Sequence, residues 1–168
     1  MNYNVAIIGP ESSGKSTLAR YLANRYGGIL VPEYARRYVE DKGSTEVSYE
    51  EICTIARKQI QELEYLSANE VKRSVSETVC QAKPVFFDTE LIVTKVWFDY
   101  AFGRVPEWLN DAILRFPMDV YLLTYPDLPW IPDPTRTNGS DAIRLELFRR
   151  YEAEIQALNI PYYIIKHQ

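Results

Sequence analysis

Gly9-Pro10-Glu11-Ser12-Ser13-Gly14-Lys15-Ser16-Thr17 decides the fold. Glycine, four residues, glycine, lysine and a hydroxyl residue make the P-loop pattern. With glycine at about 7% of an average chain, a chance match at this length is about a one-in-a-hundred event. The flanks narrow the reading. Val5-Ala6-Ile7-Ile8 is a short apolar run of the kind a buried parallel strand presents. After the loop, Leu18, Tyr21 and Leu22 fall on one helical face. Strand, glycine loop and helix thus stand in the order a phosphate cradle needs. Backbone N–H groups of the loop and helix start point at the anion, and the helix dipole favours negative charge there. Gly9 and Gly14 allow backbone angles and a close approach that a Cβ would obstruct. The expected cradle is Gly9, Glu11, Ser12, Ser13, Gly14, Lys15, Ser16 and Thr17. In it Lys15 reaches the β- and γ-phosphates of a nucleotide and the Ser16 hydroxyl coordinates Mg²⁺. The bland reading, a glycine turn before an ordinary helix, needs all of this to be coincidence.

A length of 168 residues suits one domain, 1–168, with room for a substantial core. The net charge of −4 gives no electrostatic reason to expect nucleic-acid binding. Cys53 and Cys80 are spaced unlike a metal site, so a reducing, cytoplasmic setting is expected. The N-terminus lacks the basic and apolar segments of a signal peptide, and no run approaches membrane-spanning length. Aromatic content of 13% would suit a pocket for a flat ligand.

Along the chain, the first helix should run from Lys15 to about Arg25 and stop at Gly27-Gly28. Ile29-Leu30-Val31 reads as a strand, with a helical segment from Glu33. Ser48 and Glu51 form a capping box that opens a long helix striped with Ile52, Ile55, Ala56, Ile60, Leu63 and Leu66. Beyond Ser67 the pattern, continued by Val71, Val75 and Val79, fits either one kinked helix or two in series. Val85-Phe86-Phe87-Asp88 is a buried strand ending in an acid, followed by helices over 90–102 and 106–116. Trp108 follows core spacing in the second. Val120 to Leu123 is a strand, Asp141 can cap the last helix, and Tyr162 to Ile165 is a fifth strand. Five strands alternating with helices imply a parallel sheet with right-handed crossovers, an α/β fold of three layers.

The remaining candidates for chemistry are scattered. Asp88 stands in the Walker B position, where an acid holds Mg²⁺ beside Ser16; an Asp there can also cap the next helix. Glu33 follows a strand's carboxyl end, where ligands bind in open α/β sheets. It can orient or deprotonate an acceptor hydroxyl, or simply favour a helix dipole from the first turn. Arg36 can pair with it or touch a substrate. Four prolines between Pro126 and Pro134 make a stiff loop that reads as a lid over about 126–144. Arg136 and Arg144 could close from it on the phosphates. Trp130 in this lid, or Tyr34, could stack on a flat base or a pyridinium ring, and Trp97 could face core or pocket. His167 carries no expected role.

Together the Gly9–Thr17 loop, Val31-Pro32-Glu33-Tyr34-Ala35-Arg36, Phe87-Asp88-Thr89 and Pro126-Asp127-Leu128-Pro129-Trp130 resemble the ribosylnicotinamide kinase domain of the NadR family. The match runs in order over nearly the whole chain. The resemblance implies a nucleoside-kinase P-loop fold with strand order 2-3-1-4-5. It also implies ATP-dependent phosphorylation of nicotinamide riboside to the mononucleotide, a small-molecule partner. By motif position Lys15 and Ser16 would bind ATP and Mg²⁺, and Asp88 would serve the metal or the hydroxyl. Glu33, Tyr34 and Arg36 would face the riboside, and Trp130 and Arg136 would belong to the lid. Because the first strand opens just after Met1, adenylyltransferase and DNA-binding domains are not expected, and their activities are not carried over. Another nucleoside or nucleoside-monophosphate kinase and a regulatory P-loop ATPase are the competing readings.

Overall fold

The computed structural model describes residues 3–76, 83–135 and 139–167, with side chains left aside over 70–76. The apolar run before the glycine loop is strand β1 (Tyr3–Ile8). It lies at the centre of a five-stranded, all-parallel sheet with β2 (Ile29–Val31), β3 (Pro84–Asp88), β4 (Val120–Thr124) and β5 (Tyr162–Ile165). The order is β2-β3-β1-β4-β5, as the resemblance implied.

Because β1 is covered on both faces, its two alternating sets of side chains are both apolar. Val5 and Ile7 join Phe86 and Val120 under helix α1 (Lys15–Tyr26), which contributes Ala19 and Ala23. Ala6 and Ile8 join Val85, Phe87, Tyr121 and Leu123 on the other face. That face carries α3 (Tyr49–Ser76), α4 (Leu91–Phe102), α5 (Glu107–Arg115) and α6 (Asp141–Leu158). The short α2 (Tyr34–Lys42) packs on α3 and buries only Val39. The layers are therefore unequal, and the thicker one has room for a cavity.

Helix ends follow local chemistry. Gly27 and Gly103 stop α1 and α4 in left-handed conformation, which a residue with a Cβ adopts only with strain. The capping box forms: the Glu51 N–H donates to Ser48 Oγ at 3.3 Å, and the Ser48 N–H to Glu51 Oε2 at 2.8 Å. Lys42 and Ser48 together hold the Glu51 carboxyl down to about 2. The long third helix is one continuous element to Ser76, which resolves the two alternatives in favour of a single helix; Val79 and Cys80 lie outside the described residues. The cap of α6 is Ser140, whose Oγ accepts the Ile143 N–H, and Asp141 is already its first residue. Asp141 to Arg144 therefore belong to the helix, and the described lid coil ends before them. Trp108 is half-buried against the core, with the Arg57 guanidinium 5.3 Å over its ring. Among the described residues no helix is long and apolar enough to cross a membrane.

Candidate active site

The loop between β1 and α1 is built to leave backbone N–H groups open. Gly14 caps α1 at φ 82° with no side-chain cap, and the first turn carries no acid. The orphan N–H groups and the dipole of a 12-residue helix thus face the loop's concavity unopposed. Gly9, at φ 152°, passes so close to Thr124 that a Cβ would run into its side chain and carbonyl. The loop is pinned from below by Ser13, which is buried. Its hydroxyl donates to the Pro10 carbonyl at 2.7 Å and shares a 2.6 Å hydrogen bond with the Thr124 hydroxyl. Only the Ser13 backbone is left to serve a ligand. Lys15 Nζ donates to the Pro10 carbonyl at 2.7 Å, which keeps the ammonium folded over the cradle.

Strand pairing fixes the position of Asp88. Register sets Ile7 of β1 opposite Asp88 of β3, so the acid ends its strand beside the root of the loop. Asp88 is buried, and its Oδ1 has no hydrogen-bond partner among the described residues. An orphaned buried carboxylate oxygen is costly unless a cation or donor completes it. Among the described residues no three His, Cys, Asp or Glu side chains gather into a metal cage. Mg²⁺ brought by a nucleotide needs none, since one or two protein oxygens plus phosphates and waters suffice. Asp88 with the Ser16 hydroxyl fits that donor set. Thr89, next in line, holds φ 66° while its N–H donates to the Ile7 carbonyl at 3.0 Å. A β-branched residue there stores about 1–3 kcal/mol of strain, the kind retained where geometry matters.

From the cradle a cavity of about 340 Å³ runs into the thick layer. Lys15, Ser16 and Glu33 line its cradle end; Val93, Trp97, Tyr100, Leu147 and Tyr151 line the rest, with Gln59 and Thr94 between. Glu33 caps the start of α2 with its backbone and turns its carboxyl into this space. Burial raises its pKa above the ordinary glutamate value; Asp88 and Glu11 push the same way, while Lys15 and Arg36 oppose. Glu90, fully enclosed at the start of α4, is pushed up to about 8 by burial while its Oε1 accepts the Ile92 N–H.

Several expected ligands of a substrate are engaged elsewhere. The Arg36 guanidinium lines the cavity but binds Glu40 at 2.9 Å and Asp133 of the lid at 2.6 Å. The Thr135 hydroxyl and N–H, joined by Arg36, hold the Asp133 carboxyl down to about 2. Trp130 lies outside the cavity lining. Its Nε1 donates to Glu11 at 3.4 Å, and its ring fills the room that Gly139 leaves open. Tyr34 lines a narrow recess of about 20 Å³ beside Asp88 and Glu62. Trp97 faces both core and cavity. Arg136 lies outside the described residues.

Arg144 requires a correction. Only 1% exposed, it donates to the backbone carbonyls of Glu11 at 3.1 Å, Ser12 at 3.3 Å and Leu128 at 2.9 Å. It braces the loop against the base of the lid and does not wait for a phosphate. Arg144→Leu should lower stability by about 3 kcal/mol, because it strands those carbonyls. Arg144→Lys, with a single ammonium, should recover part of it. A urea unfolding midpoint unchanged in Arg144→Leu would refute the brace.

Sequence reasoning passed over Gln59 and saw in Tyr151 only the core residue that it also is. Tyr151 shares a stripe with Leu147, Phe148 and Ile155, so spacing made it core. Gln59 interrupts the apolar stripe of α3, and that interruption is the one available signal. His167 donates its N–H to Asp127 at 2.8 Å, and a Cβ on Gly14 would come within 3.0 Å of its Nε2.

A family model described as an AAA domain matches residues 4–168. The chain belongs to this AAA-domain family. It is 29% identical over 167 residues, 98% of its length, to the trifunctional NAD biosynthesis and regulator protein NadR of Escherichia coli (strain K12). It spans only 38% of the length of that relative. Among solved structures, a NadR protein in complex with NAD and AMP-PNP superposes with a TM-score of 0.71 at 23% identity, covering 99% of this chain and 45% of that one. A NadR protein in complex with NR gives 0.70 at 24%, covering 97% and 43%. These structural likenesses establish the fold of the family member described above.

Proposed function

We propose that this chain transfers the γ-phosphoryl group of ATP to the 5′-hydroxyl of a ribonucleoside, and that nicotinamide riboside is the acceptor. One observation carries the reading: a single cavity joins the phosphate cradle to a carboxylate and then to an aromatic wall. A regulatory ATPase needs the first feature and has no use for the other two.

The roles follow from position. Backbone N–H groups of Gly14 to Thr17 and the Lys15 ammonium hold the triphosphate. Asp88 and Ser16 would hold Mg²⁺, which supplies charge neutralisation on the phosphate oxygens. Glu33 accepts a hydrogen bond from the acceptor hydroxyl, aligns its oxygen with the γ-phosphorus and takes its proton as the new bond forms. Phosphoryl transfer rests on positioning and electrostatics more than on covalent chemistry, so one such carboxylate suffices. The aromatic side chains of Trp97, Tyr100 and Tyr151 suit a flat ring, a cationic pyridinium included. The relative's part in NAD biosynthesis and the NR bound to a solved neighbour support the same acceptor. ATP as donor and an intracellular nucleoside acceptor would place the reaction in the cytoplasm.

The test is ADP formation with Mg-ATP and a panel of nucleosides, nicotinamide riboside among them. Stimulation by the riboside well above water-driven turnover is expected, with a phosphorylated product by mass. ATP turnover indifferent to every nucleoside would mean a regulatory ATPase, and preference for a nucleoside monophosphate would move the acceptor.

A further inference from the structure

The side chain of Gln59 has no place in the scheme above. It is 8% exposed, in the middle of the apolar stripe of α3, yet it lines the cavity. A buried carboxamide that merely packed would be expected to satisfy both its ends. Gln59 satisfies one. The Thr94 hydroxyl, 2% exposed on α4, donates to its Oε1 at 2.7 Å. That bond holds the amide in one orientation, and among the described residues the Nε2 donors have no partner. Thr94 lies three residues before Trp97 on α4, and Gln59, Thr94 and Trp97 all line the cavity, Gln59 at its border with the recess that Tyr34 lines.

We infer that Gln59, oriented by Thr94, is a specificity-determining residue that donates a hydrogen bond to a carbonyl oxygen on the base of the acceptor. This rests on the ribonucleoside-kinase reading. The orientation sets a preference: with Oε1 bonded to Thr94, the unpartnered atoms are the Nε2 donors, so the amide rewards an acceptor atom over a donor. An exocyclic carbonyl in the plane of a ring that lies against Trp97 meets that demand. A base without one leaves the amide buried and unpaired, and sites built around a hydrogen bond discriminate strongly against the analogue that lacks it.

The experiment compares kcat/KM for nicotinamide riboside with that for the riboside of unsubstituted pyridine, in the wild type and in Gln59→Met, a near-isosteric change that removes the donor. The wild type should favour the carbonyl-bearing riboside by about 10- to 100-fold. In Gln59→Met that ratio should collapse towards one. Thr94→Val frees the amide to rotate and should shrink the ratio several-fold, and it carries the test if melting curves show Gln59→Met unfolded. Equal loss on both ribosides, as a packing role or a contact to the ribose would give, overturns the inference, and so does a wild type that treats them alike. If neither pyridine riboside is phosphorylated while another nucleoside is, the choice of acceptor falls and the inference falls with it. That outcome is distinct from equal loss in an enzyme that accepts both.

Discussion

Glu33→Gln is expected to bind ATP as the wild type does and to transfer its phosphoryl group about 10²- to 10³-fold more slowly. The substitution keeps the size of the side chain and removes the charge that accepts the acceptor's proton. Nucleotide affinity, read by displacement of a fluorescent ATP analogue, should stay put, because the triphosphate is held by the loop and Lys15. The pH profile gives an independent reading. Burial raises the Glu33 pKa above the ordinary value, so the ionised base is lost as pH falls through that raised value, and kcat/KM should fall with it. The acid limb therefore lies above pH 4.5, the usual glutamate value, and it should vanish in Glu33→Gln. Wild-type transfer by the glutamine variant rules out Glu33 as base.

Lys15→Ala should reduce kcat/KM for ATP by about 10³-fold, since it removes a charge-assisted donor from both the bound phosphates and the charge that develops in transfer. Stability should hardly change. In the nucleotide-free fold the part-buried hydrogen bond from the ammonium to the Pro10 carbonyl is worth about 1 kcal/mol. A melting temperature close to wild type with kcat/KM for ATP reduced about 10³-fold is the expected pair of results. Lys15→Arg should not rescue, because a planar fork does not fit where a point charge was held. The variant also reports on its neighbour. Lys15 lowers the Glu33 pKa that burial raises, so residual activity in Lys15→Ala should show an acid limb displaced further upward. Substantial ATP turnover in Lys15→Ala would remove the cradle from the mechanism.

Much of the fold was legible because each strand lies in a short apolar run and each helix has a 3.6-residue stripe. The loop from Gly9 to Thr17 was read from the stretch between Val5 and Leu22, since strand, turn chemistry and helix start are all local. The same holds for Glu33 and Asp88, whose places follow from the ends of their strands. The pairings that the sequence does not record are set across long separations. Arg36 is bound by Asp133, 97 residues away, and Arg144 by carbonyls 132 and 133 residues away. No local pattern records either pairing. Trp130 looked like a stacking platform because an aromatic in a loop lacks a neighbouring stripe, yet Gly139 and Glu11 give it a seat. Tyr151 lies in the core as its stripe implied and lines the cavity as well. A helix that packs on a sheet and walls a cavity uses one apolar face for both, and periodicity cannot divide them. The choice of Ser140 over Asp141 as cap is a one-residue matter that either side chain could have satisfied.

The two halves of the site hang from different parts of the molecule. The cradle, Lys15 and Asp88 are set by the register of β1 with β3 and by the Ser13–Thr124 tie to β4. The cavity beyond Glu33 is walled by faces of α2, α3, α4 and α6. Arg144 of α6 apart, which braces the loop, a substitution on the cavity-lining faces of those helices therefore reaches the guest without passing through the strands that grip the donor. Selection can exchange one acceptor for another by small steps, each leaving a working ATP site to build on. The same separation serves the engineer: a library confined to Gln59, Thr94, Trp97, Tyr100 and Tyr151 explores new guests while the phosphoryl donor stays loaded.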